Sequence, residues 1–440
     1  MKKYLIATTV IAGFASTAYA DDSVTNNGIT LYGTVDVGVS YDTHGAPVSP
    51  LFPPTLLDSV GSASNKPLLS AMAGGLGNSK IGIKGAEELF EGWSGLFKLE
   101  TGIDPLAGTL SNGAGSLAAN NGVAAASRNA NGDSSREGQP FNQAAYAGIT
   151  NAQYGTLTIG RQNTLQLDAS GFYDPQQGAY AFSLLGYTGV IGGGAGDTQD
   201  ARWDNSIKYL GHFGMLRIGG MYQFGGTVTR NDIGYGVDLG GDYAGFSVDG
   251  LYTHKKDQIS PGILSAAQTL TLPFGSLTGT ISDNTDYSIN GKYVFGPFSV
   301  SGGYQYIVFA NPSSPLPAGT IQPGGYDISV VNNTAFTRHK ILQVEFVGGR
   351  YKITPDFELG IGYYHEDQNS YRIAGGACHS TVAATCSGTQ NNLSVMVDYH
   401  LSKRFDVYAG AMYSQVLDGI ASGFIHNNNI DPSAGLRFVF

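Results

Sequence analysis

The chain predicts an all-β fold, a transmembrane antiparallel β-barrel of about sixteen strands. Three observations lead there. Segments of roughly ten residues alternate apolar and polar side chains with a period of two, so each strand has one greasy and one wet face. Their connections alternate between tight turns and long loops. An export signal opens a chain with no uninterrupted apolar run of about 18 residues, so no helix is expected to anchor it in a bilayer.

Met1-Lys2-Lys3 is a short basic start, 4–14 is an apolar run, and Ala18-Tyr19-Ala20 fits the small-x-small rule for cleavage before Asp21. Residues 1–20 read as a secretory signal peptide and 21–440 as the barrel. The first strand is 31–41: Leu31, Val35, Val37 and Val39 take one face, and Tyr32, Thr34, Asp36 and Ser40 the other. After a long loop rich in Pro, Ser and Gly, 80–85 resumes the alternation. A short acidic turn around Glu87, Glu88 and Glu91 then leads into 96–100. Strands 144–150 and 156–161 join through 151–155, and strands 206–209 and 216–224 through 211–214. Later pairs turn at 241–245, 295–297, 354–356 and 402–404. The final strand sets Ala434, Leu436, Phe438 and Phe440 against Gly435, Arg437 and Val439. Long connections fall at 43–78, 103–141, 163–203, 258–283, 311–335 and 367–390, as expected if tight turns lie on the periplasmic side and loops outside.

The polar faces carry Asp36, Lys80, Lys84, Lys98, Glu100, Lys208, Arg217, Asp249, Lys292, Glu345, Asp398 and Arg437. Charges in that number do not fit a dry core without partners. A hydrated lumen accommodates them, and a barrel of this strand number encloses one. Charged residues are 13% of the chain, about half the share usual in soluble domains, while Tyr at 26 outnumbers Phe at 21. A tyrosine, with its apolar ring and wet hydroxyl, suits the two rims of a membrane slab. A soluble β-propeller would show a blade signature every 40–50 residues or so, and none recurs.

A net charge of -10 argues against a nucleic-acid partner, whose binding rests on clustered cations. The eight histidines are scattered, and His365-Glu366-Asp367 sits at a strand end, so neither an enzyme site nor a cofactor is expected. Cys378 and Cys386 lie close together in a Gly/Ser/Thr/Ala-rich loop and are expected to form a disulfide in an oxidising compartment. His379 beside them has no further ligands at a metal-binding spacing.

Leu31-Tyr32-Gly33, the run from Lys80 to Leu89, Tyr154-Gly-Thr-Leu-Thr-Ile-Gly-Arg-Gln162, Asp204-Asn-Ser-Ile-Lys-Tyr209 and Phe440 together resemble the Gram-negative general diffusion porins, and most closely those of the Burkholderia and Neisseria type. The resemblance runs from Ile29 to Phe440. It implies a homotrimer in the outer membrane, in contact with the lipid bilayer and lipopolysaccharide, passing ions and small hydrophilic solutes. It also implies a long third loop folded into the lumen as a constriction. Lys80, Arg161 and Lys208 stand at basic wall positions of that pattern. The loop after Arg161, reaching to about Trp203, carries Asp168, Asp174, Asp197 and Asp200 as the opposing acids. Strict alternation from Leu157 and Ile159 would turn Arg161 toward lipid, at a high cost for a charge; Gly160 is expected to break the pairing and turn it inward. The Pro-Glu-Phe-Gly-Gly run of enterobacterial porins is absent, so no single acid of the loop stands out. A substrate-specific channel is the nearest alternative, with a barrel enzyme or an adhesin as alternatives of another class.

Overall fold

The computed structural model describes residues 24–440 apart from 27, 48–50, 52–65, 111, 130–139, 186–200, 226–232, 318–326, 373–377 and 379–382. The expected signal peptide, 1–20, lies outside the described residues. Sixteen strands form one closed antiparallel barrel. They are β1 (Ile29–Asp42), β2 (Lys80–Phe90), β3 (Trp93–Asp104), β4 (Ala144–Asn151), β5 (Gly155–Asn163), β6 (Arg202–Phe213), β7 (Leu216–Gln223) and β8 (Gly234–Tyr243). Then follow β9 (Phe246–Gly262), β10 (Leu277–Phe295), β11 (Phe298–Ala310), β12 (Lys340–Thr354), β13 (Phe357–Gln368), β14 (Gly388–Ser402), β15 (Phe405–Asp418) and β16 (Asn428–Val439). Each pairs with its neighbour in sequence, and β1 pairs with β16 from Thr34↔Val439 to Ser40↔Ser433, which closes the ring. Reciprocal bonds between Gly33 and Phe440 (2.9 and 3.0 Å) end that seam.

The outward face is apolar. Val39, Ile159, Val237, Leu239, Ile289, Val300, Val347, Ile361 and Leu393 are all exposed there. Aromatic rings bound this band. Near the tight turns Phe246, Tyr293, Phe295, Phe298 and Tyr351 form a chain of stacked rings, with centroids 3.9–5.5 Å apart. Toward the loops Tyr235, Tyr252 and Tyr287 run across three adjacent strands. Apolar wall between two amphipathic belts is the surface of a barrel standing in lipid.

Two departures from simple alternation have physical causes. The connection expected at 258–283 is strand at both ends, with β9 and β10 running on past a bulge at 255–258 and leaving 263–276 between them. They continue because Ile259, Leu277 and Ile281 bury themselves against Ile328 and against Ala114 and Leu117 of a short helix, α1 (Gly113–Ala119), from the connection between β3 and β4. Glu345, expected on the wet face, is exposed on the outside of β12 beside Val347, while Leu342, Val344 and Phe346 turn inward. The interior there is greasy because a loop packs on it.

Asp36 also differs from the expectation of a hydrated wall charge. The strand paired with β1 is interrupted between Leu68–Ala73 and β2, and the intervening chain turns its N–H groups onto the Asp36 carboxylate. Gly75, Leu76 and Gly77 donate at 2.9–3.1 Å, and the Tyr408 hydroxyl at 2.6 Å. The carboxylate is fully buried. Asp36→Asn would replace an acceptor oxygen with a donor facing N–H groups, and should cost about 1–3 kcal/mol. The check is the midpoint for heat conversion of the folded gel form to the unfolded one. An unchanged midpoint would mean that water can serve those N–H groups.

Candidate functional site

The chain after β5 builds the interior. Thr164 accepts from the Leu167 N–H and caps α2 (Leu165–Tyr173), whose first turn holds Asp168. Leu165, Ala169 and Tyr173 pack against inward residues of the wall, among them Trp203, Leu251, Ile307 and Phe346. Beyond the helix, Asp174 accepts from the Tyr364 hydroxyl of β13 (2.5 Å) and from the N–H groups of Gln176 and Gly178. Burial pushes its carboxyl pKa up, and these bonds with that of Ser183 pull the other way. Gln176 donates to Ser394 of β14 (2.9 Å), Ala181 bonds Gly75, and Phe182 meets the Tyr408 ring of β15 edge-on. The segment thus reaches from β5 to β15 across the inside of the barrel. A side chain at Gly348 would run into Pro175, at Gly360 into Gln176 and at Gly410 into Phe182. These wall glycines admit the loop.

The basic residues sit apart in three arrangements. Lys80 and Lys98 flank Glu100 at 3.4 and 3.2 Å, Tyr32 donates to the same carboxylate at 2.9 Å, and both lysine side chains keep about a third of their surface exposed (35% and 28%). Lys208 is in direct contact with Asp168 (2.8 Å), both nearly buried, and Asn163 holds the pair from both sides. Arg161 stands where the pairing of β5 and β6 slips between Gly160 and Gln162, with Gly160 at φ +135°. Its guanidinium bonds the Asn142 carbonyl (2.8 and 2.9 Å) and Asp204 (2.5 Å), and it is buried.

Of the four loop acids, Asp168 is an ion-pair partner and Asp174 a buried anchor at 1% exposure; Asp197 and Asp200 lie outside the described residues. The polar-face pattern includes Glu100 without revealing that it gathers Lys80, Lys98 and Tyr32. That follows from the register, Lys84↔Lys98 and Tyr32↔Gly82, which composition does not encode. Cys378 and Cys386 form a disulfide in the connection between β13 and β14.

Wall, seam, aromatic belts and inward loop are the parts of an outer-membrane pore, and the sequence comparison decides between such pores. A family model described as Gram-negative porin matches residues 7–418. The chain belongs to the Gram-negative porin family. This porin is similar to an outer membrane porin protein of Bordetella pertussis, 28% identical over 209 residues. That match covers 48% of this chain and 44% of the relative, less than half its length. Solved structures share the fold at lower identity. An anion-selective porin from Comamonas acidovorans is 16% identical with a TM-score of 0.59, over 94% of this porin and 99% of that chain. A trimer form of Vibrio cholerae OmpT is 14% identical with a TM-score of 0.57, again over 94% and 99%. As a porin of this family, the barrel stands in the outer membrane.

The loop anchors are testable. Tyr364→Phe with Gln176→Ala removes two tethers; the hydroxyl donating to a carboxylate alone is worth about 1.5–3 kcal/mol. The barrel should still fold, and single-channel traces in a planar bilayer should become noisier, with transient closures. Traces as quiet as the parent's would mean that apolar docking alone holds the loop.

Proposed function

We propose that this porin is an open, water-filled channel through which ions and small hydrophilic solutes diffuse down their gradients, with no reaction and no cofactor. The observation that carries the reading is the Lys80–Glu100–Lys98 cluster, two partly exposed cations around one carboxylate on the wall of a barrel otherwise narrowed by the 164–185 segment. Residues 1–20 serve as a cleaved export signal. Solutes pass between that segment and the β2–β3 wall, where the field is set chiefly by Lys80 and Lys98, less by Arg161 and Lys208, whose charges are already met by Asp204 and Asp168.

Three copies assemble side by side. Support comes from the middle of the outward faces of β1, β15 and β16, where Val35, Val37, Ala409, Ala411, Pro432 and Ala434 form a patch of small or aliphatic side chains between the rings of Phe405 and Phe438 at one rim and those of Tyr41 and Tyr413 at the other. The Vibrio cholerae OmpT structure of the same fold is a trimer form. His365, beside Glu366 and Asp367 in sequence, bonds Asn391 on the outer wall.

Lys80→Gln should shift selectivity toward cations. A unit charge about 8 Å from a passing ion in water is worth roughly 0.5 kcal/mol, in opposite senses for the two ions, or about a fivefold change in their permeability ratio. Arg161→Gln should move it less. The reversal potential across a salt gradient measures both, and channels closing in steps of three would count the copies. Equal shifts from the two substitutions would place Arg161 at the narrowest level after all.

A further inference from the structure

One cluster on the inner wall is absorbed neither by the loop nor by the Lys80 wall. His400 of β14 faces Asp406 of β15 across the strand pair, beside the tight turn that joins them, and Asp398 lies two residues along β14 on the same face. One ligand atom from each of the three lies within 4.8 Å of the others. The imidazole Nδ1 is 2.6 Å from Asp406 Oδ1. On the far side of that carboxylate, Arg437 holds Asp406 Oδ2 at 2.6–2.7 Å and approaches Asp398 Oδ2 only to 3.8 Å. The neighbouring guanidinium, Arg350, is committed to Glu358 at 2.8 Å. Asp398 Oδ1 is therefore left buried with no hydrogen-bond partner, on a side chain 5% exposed. An unpaired carboxylate oxygen in that setting is costly, and a cation is what it lacks.

We propose that Asp398, His400 and Asp406 form a binding site for a divalent transition-metal ion of the Zn²⁺ type, at the end of the lumen nearest the tight turns. The donor set decides the class of ion. An imidazole nitrogen with two carboxylate oxygens suits Zn²⁺, whereas Ca²⁺ and Mg²⁺ take oxygen cages. Ligand bonds of about 2.0–2.2 Å require the three atoms to draw to roughly 3–4 Å of one another, a side-chain adjustment on fixed strands. The ion takes the lone pair of His400 Nδ1 in place of the hydrogen bond to Asp406, with the ring kept neutral by a proton on Nε2. Arg437 stays on the outer oxygen of Asp406 and holds that carboxylate in place, and water completes the coordination from the lumen, onto which His400 is partly open. The bound ion would cross-link β14 and β15 beside the seam and add positive charge to that exit. The competing arrangement is an imidazolium held between two carboxylates with no metal.

The test is calorimetric titration of ZnCl₂ into the EDTA-treated, detergent-folded protein, alongside Asp398→Asn and His400→Gln. Each variant is first shown to be folded by its single-channel conductance. One site per chain is expected, weakened at least about tenfold by either substitution, and unchanged in His44→Gln and His426→Gln, which alter the stacked histidine pair of the outer loops. Anomalous scattering at the zinc edge from Zn²⁺-soaked crystals of the parent protein gives a readout that needs no variant, with a peak expected between the three side chains. No saturable binding, equal affinity in both variants, or zinc peaks only elsewhere would overturn the proposal and leave the imidazolium arrangement.

Discussion

A sheet that crosses hydrocarbon has no water for its edges, and every other feature of this molecule depends on how that is solved. Each unpaired N–H or C=O at a strand edge would cost several kcal/mol in lipid, so the first and last strands must find each other. They do so along the seven residue pairs from Thr34↔Val439 to Ser40↔Ser433, completed by Gly33 and Phe440. Closure turns one face of every strand to lipid and the other to the interior, so alternation in the sequence becomes an outside and an inside in space. It also makes the seam a place to concentrate order. Asp36 sits there, and its carboxylate organises the interrupted strand beside β1 while the Tyr408 ring that serves it also receives Phe182 of the inward loop.

That loop changes what the interior is. A purely wet lumen needs polar inward residues, but a loop that must stay in place needs an apolar seat. The wall supplies both, in different sectors. Ile307, Phe309, Leu342, Val344 and Phe346 face inward and bury against the loop segment, while Lys80, Lys98 and Glu100 face inward elsewhere. The seat is supplemented by glycines such as Gly348, where the missing Cβ is the space Pro175 occupies.

This division explains what the sequence could reveal. Strand positions, tight turns and the closing strand were legible because period-two patterning is local. Glu345 was misplaced because alternation says only that two faces differ. On the loop-side half of β12 the inner face is greasy as well, at Leu342, Val344 and Phe346, a fact that depends on a loop 170 or so residues earlier in the chain. The extension of β9 and β10 was hidden for a similar reason, since their apolar partners come from α1 and Ile328. Arg161 is the opposite case. Gly160 breaks the alternation locally, so the slip in pairing that buries the guanidinium against Asp204 could be anticipated. The partners of the site residues were beyond reach, because Lys208 meeting Asp168 and Asp174 meeting Tyr364 are contacts between distant segments.

Those partners alter the electrostatic argument as well. A transverse field needs cations and anions separated by the solution through which solutes pass. Two of the expected opposing charges, Lys208 and Asp168, are in contact, and a contact pair presents to a passing ion only a dipole, whose potential falls faster with distance than that of a charge. Arg161 and Asp204 are closed off in the same way. The Lys80–Glu100–Lys98 group is different, because two cations share one anion and a positive charge is left over. The lysines also keep enough exposure to act through water, not only through protein. What a wall charge presents to a passing ion thus depends on what pairing leaves unbalanced, and on β2 and β3 one positive charge is left over.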